Sequence, residues 1–358
     1  MSNIEKSVDQ TKTEEFADKM VGVLNGAALA IMTSIGHRTG LFDSMATMQH
    51  ASSPQIAEAA GLNERYVREW LGAMVTGGVI LHDPKASSYY LPREHAQSLT
   101  RAAGPANLAN AIQFLPLMGT VEDGIVESFQ NGGGVPYSEF GRFHEIMAEL
   151  SGETVCGALL DVTLPMVAGL IERLGSGISV LDVGCGSGRA LNVMAERFPN
   201  SRFTGYDFSE EAVGNATAEV TRRGISNISF EVQDVTTFPN NAQFDFITAF
   251  DAIHDQANPA AVLSNIAKAL ADGGVFLMQD IAASSHLHEN IQHPFAPFLY
   301  TMSTMHCMTV SLALGGEGLG TVWGKELACK MLADAGFTSV DVEQIDGDVF
   351  NYYYIARK

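Results

Sequence analysis

The chain has 358 residues, 46% of them hydrophobic and 17% charged, which gives enough length for two domains and enough apolar surface for a large core. The 21 Lys and Arg against 41 Asp and Glu leave a formal charge of −20, which disfavours a surface built for nucleic acid or anionic membrane. Four scattered cysteines (Cys156, Cys185, Cys307, Cys329) form no CxxC pair, so reduced thiols in a cytoplasmic protein are expected, not a disulfide framework or a zinc site. The polar, acidic start MSNIEKSVDQTKTEEF lacks the apolar core of a secretion signal, and no stretch reads as long and apolar enough to span a bilayer.

Residues 1–12 are expected to fray. Phe16–Ile35 places Phe16, Met20, Val23, Leu24, Ala27 and Ile31 at helical spacing and predicts a long buried helix. A short helix begins within Gly40–Met48. Ser53–Ala60 follows with Pro54 in its first turn, and Asn63 caps a helix over Glu64–Thr76 that Gly77–Gly78 ends. Val79–Leu81 and Tyr89–Leu91 read as two strands around a turn at Asp83–Ser88. Helix, turn, helix and hairpin make a winged helix. If it read DNA, Glu64–Thr76 would enter the groove. Glu64 and Glu69 offset Arg65 and Arg68 there, and the wing carries Lys85 beside Asp83, so nucleic acid is not the expected partner.

Ala102–Gln130 is mostly apolar and predicts two helices broken near Pro116, followed by a flexible joint at Gly132–Gly133–Gly134. Val135–Ser151 and a helix over Val155–Leu174 lead into the second half. The expected division is a winged-helix domain over 1–100, a helical connection over 101–175 and an α/β domain over 176–358. From Ile178 onward, strands and helices alternate. Strands are expected at Ile178–Val183, Arg202–Asp207, Ile228–Asp234, Phe244–Phe250 and Gly274–Ile281. Helices are expected at Glu210–Arg223, Pro259–Leu270 and Lys325–Ala335, and two closing strands at Ser339–Gln344 and Val349–Ala356. Such alternation predicts a mostly parallel, doubly wound sheet. The first strand runs into VLDVGCGSGRA, where Gly184, Gly186 and Gly188 turn it into a helix, the geometry that sets a nucleotide-like ligand over a helix N-terminus. The glycine spacing is GxGxG, not the GxGxxG of dinucleotide binders. An acid, Asp207, ends the second strand 23 positions after Gly184, Asp234–Val235 follows the third, and Phe250–Asp251 ends the fourth.

These four sites resemble those of class I S-adenosylmethionine (SAM)-dependent methyltransferases. With the winged helix in front, the chain resembles the bacterial winged-helix-containing members of that family. The DAIHDQA, HCM and GLGTVWG stretches fit the same resemblance. It implies a seven-stranded sheet with the last strand antiparallel beside the fifth, and S-adenosyl-L-homocysteine as the product left by the cofactor. Asp207, with Phe208 beside it, would meet the ribose. Asp234 and Val235 would meet the adenine, Phe250 and Asp251 the amino-acid portion, and Asp182 the ammonium or the glycine loop, in which Cys185 also lies. Related plant-type enzymes dimerise through the N-terminal domain, so a homodimer is expected.

An acceptor hydroxyl or thiol needs a base, and the candidate is His254 in DAIHDQANP, oriented by Asp251 or Asp255. His254 could also cap the next helix or bond the cofactor, and Asp255 could make a turn with Asn258–Pro259. The segment before the α/β domain supplies Tyr137, Phe140, Phe143 and His144 as pocket residues, although the same spacing suits an ordinary packing face. The insertion Ala282–Trp323 reads as a lid. Its His306 and Trp323 would lie near the substrate, with Met302, Met305 and Met308 as a soft apolar wall. His286-x-His288 with Glu289 could ligate a metal, but no metal is expected. The acceptor implied is a small apolar or aromatic molecule, methylated on oxygen in preference to nitrogen or sulfur. Two other readings stay open: a SAM-responsive winged-helix regulator, and a methyltransferase fold performing other chemistry.

Overall fold

The computed structural model describes residues 8–237 and 243–358, so residues 1–7 of the expected frayed end lie outside it. Two units divide between Pro116 and Leu117. In the first, α1 (Gln10–Arg38) starts where the Asp9 side chain accepts a hydrogen bond from the Lys12 amide, so residues 10–12 are helical. The expected helix is there, but it is not buried. Leu24 is 70% exposed and Phe16 62%, with Met20, Val23 and Ile31 also open. Apolar spacing marks a helix face; it does not say what covers it. The expectation that no segment could span a bilayer also needs correcting. By length and composition, an 18-residue stretch of α1 is long and apolar enough, because Ala, Gly and Met dilute its polar residues without any Leu-rich run.

The winged helix comprises α2 (Leu41–Ala46), α3 (Ser53–Ala60), α4 (Glu64–Thr76), β1 (Leu81–Asp83) and β2 (Ser88–Tyr90). Both hairpin strands lie within two residues of expectation. Asn63 caps α4 by accepting from the Arg65 amide. Val67, Trp70, Leu71 and Met74 line the buried face of α4, and the Trp70 indole donates to the Met32 carbonyl at 2.8 Å. On the outer face Arg65 pairs with Glu69, and Arg68 with Glu64. Beyond α5 (Arg93–Ala96), α6 (Leu108–Ile112) packs along α1, and Ala109 joins this core. Residues 101–116 therefore belong to the first unit and not to a separate connection.

The division falls within α7 (Phe114–Met118), and the second unit continues through α8 (Glu122–Asn131), α9 (Phe143–Glu153), α10 (Val155–Ala158) and α11 (Leu170–Ser176). The single helix expected over 155–174 is broken. Pro165 cannot extend it, and Gly169 turns left-handed at φ 72°. The triple glycine is not simply a joint: a Cβ at Gly134 would collide with the Thr309 carbonyl oxygen, and the Val135 amide donates to Thr309 Oγ1 at 2.7 Å.

Seven strands then form one sheet: β3 (Ser179–Val183), β4 (Arg202–Asp207), β5 (Ile228–Val232), β6 (Phe244–Phe250), β7 (Leu270–Ile281), β8 (Ser339–Glu343) and β9 (Asn351–Arg357). Their order is β5-β4-β3-β6-β7-β9-β8. β9 is antiparallel to both neighbours, slotted beside the fifth strand as expected, and the β3 to β7 pairings are parallel. Helices α12 (Arg189–Arg197), α13 (Glu210–Arg223), α14 (Pro259–Ala269) and α18 (Lys325–Asp334) cover its faces. The insertion 282–323 is largely helical, as α15 (Leu287–Asn290), α16 (Ala296–Met302) and α17 (Met308–Ala313). One face of the sheet buries Ile247, Leu263, Phe276 and Tyr354, the other Val180, Leu191, Phe203 and Leu277. Strand order reverses between β3 and β6, which opens a crevice at their carboxyl ends.

Because Gly134 is pressed against backbone, Gly134→Ala should cost about 2 kcal/mol of stability by overpacking. Gly133→Ala meets no atom within 4 Å and should show only the smaller penalty of its positive φ. Urea unfolding of the two variants checks this, and equal midpoints would refute it.

Candidate active site

The crevice is built by the turn after β3. Gly184, Gly186 and Gly188 all have positive φ, at 72°, 51° and 69°. A Cβ at Gly188 would strike the Phe230 ring, whereas one at Gly186 meets nothing within 4 Å. The Gly184 and Cys185 amides donate to the Tyr206 carbonyl at 2.8 and 3.1 Å. The Gly186 amide donates to Asp207 Oδ2 at 2.8 Å, and the Ser209 amide to Asp207 Oδ1 at 2.9 Å. The loop is thus laced to the end of β4. Burial pushes the Cys185 thiol well above the usual range, which makes it an inert wall atom.

Two carboxylates stand at the base of the crevice. Asp182 is buried on β3, accepts from Thr248 Oγ1 at 2.7 Å, and is pushed up to about 7 by burial. Asp251, just past β6, has the unusual backbone φ of 51° for a residue with a side chain. Burial first, and then Asp280, push it to about 7 as well. Gln279 clamps its Oδ2 at 3.2 Å, while its buried Oδ1 has no hydrogen-bond partner. Among the described residues no Lys or Arg pairs with Asp182, Asp207, Asp251 or Asp280. Phe250 is half-buried. Val235 is buried beside the exposed Asp234, whose Oδ1 accepts from the Thr236 amide and hydroxyl at 2.8 and 2.7 Å.

A second polar cluster follows β6. His254 is 3% exposed, and its Nδ1 lies 2.8 Å from Asp280 Oδ1. The orienting acid is therefore Asp280 on β7, not Asp251 or Asp255. Sequence reasoning passed over Asp280; the available signal was an acid inside the otherwise buried run FLMQDI. Trp323, expected at the substrate, donates its indole N–H to the same Asp280 oxygen at 2.9 Å. The other ring nitrogen of His254 is 3.3 Å from Asp255 Oδ1. Burial would lower the His254 pKa, but Asp280 and Asp255 outweigh it and hold it well above the usual range. Asn258, not His254, caps α14, accepting from the Ala261 amide. His306 is fully buried and lowered to about 4 by that burial, so it stays neutral.

The aromatic candidates converge here. His306 stacks on Phe143 with ring centres 3.7 Å apart and meets Phe140 edge-on at 4.7 Å. Tyr137 lies 5.2 Å from His306, 5.1 Å from His144 and 5.6 Å from Phe208. His144 Nε2 is 3.3 Å from Ser209 Oγ. His286 and His288 stack on each other in the open, and His288 Nε2 lies 3.8 Å from the Glu289 carboxylate, but among the described residues the three do not gather as a metal-ligand group. The potential metal ligands that do gather are His254, Asp255 and Cys307, within 4.8 Å of one another.

Comparison with known proteins agrees with this geometry. Residues 27–101 match the family described as Rv2258c-like winged HTH domain, and residues 174–336 match the family described as methyltransferase domain. A curated relative, malonyl-[acyl-carrier protein] O-methyltransferase of Bacillus cereus, is 26% identical over 170 residues, covering 47% of this chain and 55% of its own. The chain thus spans about half the length of that relative. The mitomycin 7-O-methyltransferase structure superimposes with a TM-score of 0.69 at 16% identity, covering 97% of this chain and 100% of that one. Human N-acetylserotonin methyltransferase, solved with SAM, gives 0.66 at 15% identity, covering 99% of both chains. At such identities the structural likeness is one of fold. The chain belongs with the methyltransferase-fold proteins, carrying a winged helix-turn-helix domain ahead of its methyltransferase domain.

Proposed function

We propose that the protein transfers a methyl group from SAM to the oxygen of a small apolar or aromatic acceptor. The observation that carries this reading is the crevice itself: a glycine loop tied to Asp207, over two buried carboxylates without a cation. Raising a carboxyl from 3.8 to about 7 corresponds to roughly 4 kcal/mol against its charge. A cationic ligand that restores that charge fits the site, and an anionic phosphate ligand does not. SAM, when bound, supplies an electrophilic methyl group on a positively charged sulfur and leaves as S-adenosylhomocysteine. Asp207 would hold its ribose hydroxyls, Asp234 and Val235 its adenine, and Asp182 and Asp251 its charged amino-acid end. Tyr137, Phe140, Phe143, His144 and His306 would wall off the acceptor and exclude water. The acceptor's proton leaves at the cluster of His254, Asp255 and Asp280. The O-methyltransferase names of the Bacillus cereus relative and of the mitomycin structure support oxygen as the acceptor atom, while (S)-coclaurine N-methyltransferase of Papaver somniferum, 26% identical over 125 residues, makes nitrogen the second choice.

Transfer of labelled methyl from SAM into a small-molecule extract tests the reading. Wild type should yield an organic-soluble labelled product. Gly186→Asp, which adds a carboxylate in open space at a loop position, should bind SAM at least ~100-fold more weakly and transfer no label. His254→Ala should keep SAM binding and lose about 100-fold in transfer. Unchanged binding by Gly186→Asp would sink the cofactor assignment.

The raised carboxylates also predict a pH dependence. A cationic ligand binds the ionised acids, which near pH 7 are half protonated in the free protein. SAM affinity should therefore be at its plateau above that point and fall as pH drops through 7, by about tenfold between pH 7.5 and 6 for each acid engaged. Calorimetric titration at several pH values measures it, and a flat profile would refute it.

We also assign the open face of α1 to a second copy of this chain. Phe16, Met20, Val23 and Leu24 form an exposed apolar stripe beside Gly22 and Gly26, where nothing approaches within 4 Å and a partner helix could come close. The ion-paired outer face of α4 and the net charge of −20 do not favour DNA. Light scattering should give a dimer for wild type and a monomer for Phe16→Glu/Leu24→Glu. A wild-type monomer, or recovery of wild type only with membranes, would refute the assignment.

A further inference from the structure

We propose that His254, Asp255 and Cys307 form a binding site for one divalent transition-metal ion of the zinc class, set within the aromatic wall of the acceptor pocket. Its location in that pocket rests on the methyltransferase reading; the ligand set stands on geometry alone. The three ligand atoms lie within 4.8 Å of one another, so an ion would draw them to the ~3.5 Å separations of a tetrahedral site by side-chain shifts of about 1 Å. Nitrogen, carboxylate oxygen and sulfur together suit a borderline metal, not magnesium or calcium, which prefer oxygen alone.

The surroundings match what a histidine ligand needs. Asp280 lies 2.8 Å from His254 Nδ1 and fixes that nitrogen as the N–H donor, so Nε2, 3.3 Å from Asp255 Oδ1, is the ring nitrogen that gives up its proton to take an ion. Asp280 is itself fixed by the Trp323 indole and by the Ile281 amide, at 2.9 and 2.8 Å. Charge also balances, since a thiolate and a carboxylate neutralise a dication in a site where an uncompensated charge would be costly. Binding releases the Cys307 thiol proton.

Independent of the cluster's spacing, several buried polar atoms around it lack hydrogen bonds. Asp255 Oδ1 has none, nor does either ring nitrogen of the fully buried His306, whose Nδ1 sits 3.9 Å from Asp255 Oδ2. Buried polar atoms without partners are rare and costly. A cation held by these residues would satisfy the carboxylate, with His306 beside it at Asp255. Three protein ligands with one position open is the arrangement of catalytic zinc sites. With an ion bound, His254 and Asp255 serve as its ligands, and acidification of a hydroxyl or thiol at the fourth position takes the place of direct proton transfer to the His254 ring.

The test uses the full chain, stripped with chelator, equilibrated with Zn²⁺ or Co²⁺ alone and desalted. Elemental analysis should find one equivalent per chain, and the cobalt form should show a sulfur-to-metal charge-transfer band in the near ultraviolet. Cys307→Ser should abolish that band and weaken zinc binding at least ~100-fold, and Asp255→Asn and Asp280→Asn should each weaken it by about 10- to 100-fold. His286→Ala should leave the metal content unchanged. SAM binding and thermal melting of each preparation show whether a variant has folded, and the Asn variants carry the test if Cys307→Ser does not fold. Wild type that binds SAM but retains under a tenth of an equivalent overturns the site, as does a folded Cys307→Ser with undiminished zinc. Stoichiometric metal without SAM binding supports the site while overturning the methyltransferase reading.

Discussion

The hydrogen bond from the Gly186 amide to the Asp207 carboxylate ties the end of β3 to the end of β4, and the ligand crevice depends on that tie. A loop of three left-handed residues has no intrinsic reason to hold one shape. Here it is held from both sides: Phe230 forbids a side chain at Gly188, and Asp207 accepts the amide of Gly186. On the proposed function, the same carboxylate then anchors the ligand in the crevice. One acid thus sets the scaffold and offers the binding group, so the loop is pre-formed and little ordering is left for binding to drive.

The second constraint is electrostatic. The carboxyl ends of β3, β6 and β7 bring Asp182, Asp251 and Asp280 into a low-dielectric interior where, among the described residues, no Lys or Arg matches them. Burial pushes the first two towards neutrality, and Asp280 finds His254 instead. A fold selected for stability alone has little use for such a concentration of unmatched acid. As a receptor for cations it is coherent: a sulfonium and an ammonium at one end and, on the proposal above, a metal ion at the other.

Much of this was legible in the sequence where local chemistry sets the outcome. Asn63 and Gly77 bracket α4, and its predicted span holds to the residue; β4, β6 and α13 do likewise, because their apolar runs stop at Asp207, Phe250 and Gly224. What the sequence did not disclose depends on residues far apart in the chain. The burial of α1 was misjudged because its periodic apolar face has no cover in its own unit. Asp280 was overlooked because its partners, His254 and Trp323, lie 26 and 43 positions away. Gly134 looked like slack in the chain, yet it lies against Thr309, far along the insertion. The proposed metal-ligand group escaped for the same reason: Cys307 joins His254 and Asp255 only through the fold, while His286-x-His288 finds only the exposed Glu289 beside it.

Three consecutive residues at the end of β4 connect the two halves of the site. Asp207 laces the glycine loop, Phe208 meets Tyr137 edge-on, and Ser209 reaches His144 while also capping α13 through the Ala212 amide. On the proposed function, the ligand anchor and the roof of the acceptor pocket are therefore borne by adjacent backbone. A ligand that fills the crevice and pulls on Asp207 acts within one or two residues of the contacts that hold Tyr137 and His144. Those rings in turn pack on His306, which faces Asp255. Occupation of the cofactor crevice and the shape of the acceptor wall are thus mechanically joined through β4, by short contacts between rigid rings and not by a long flexible lid.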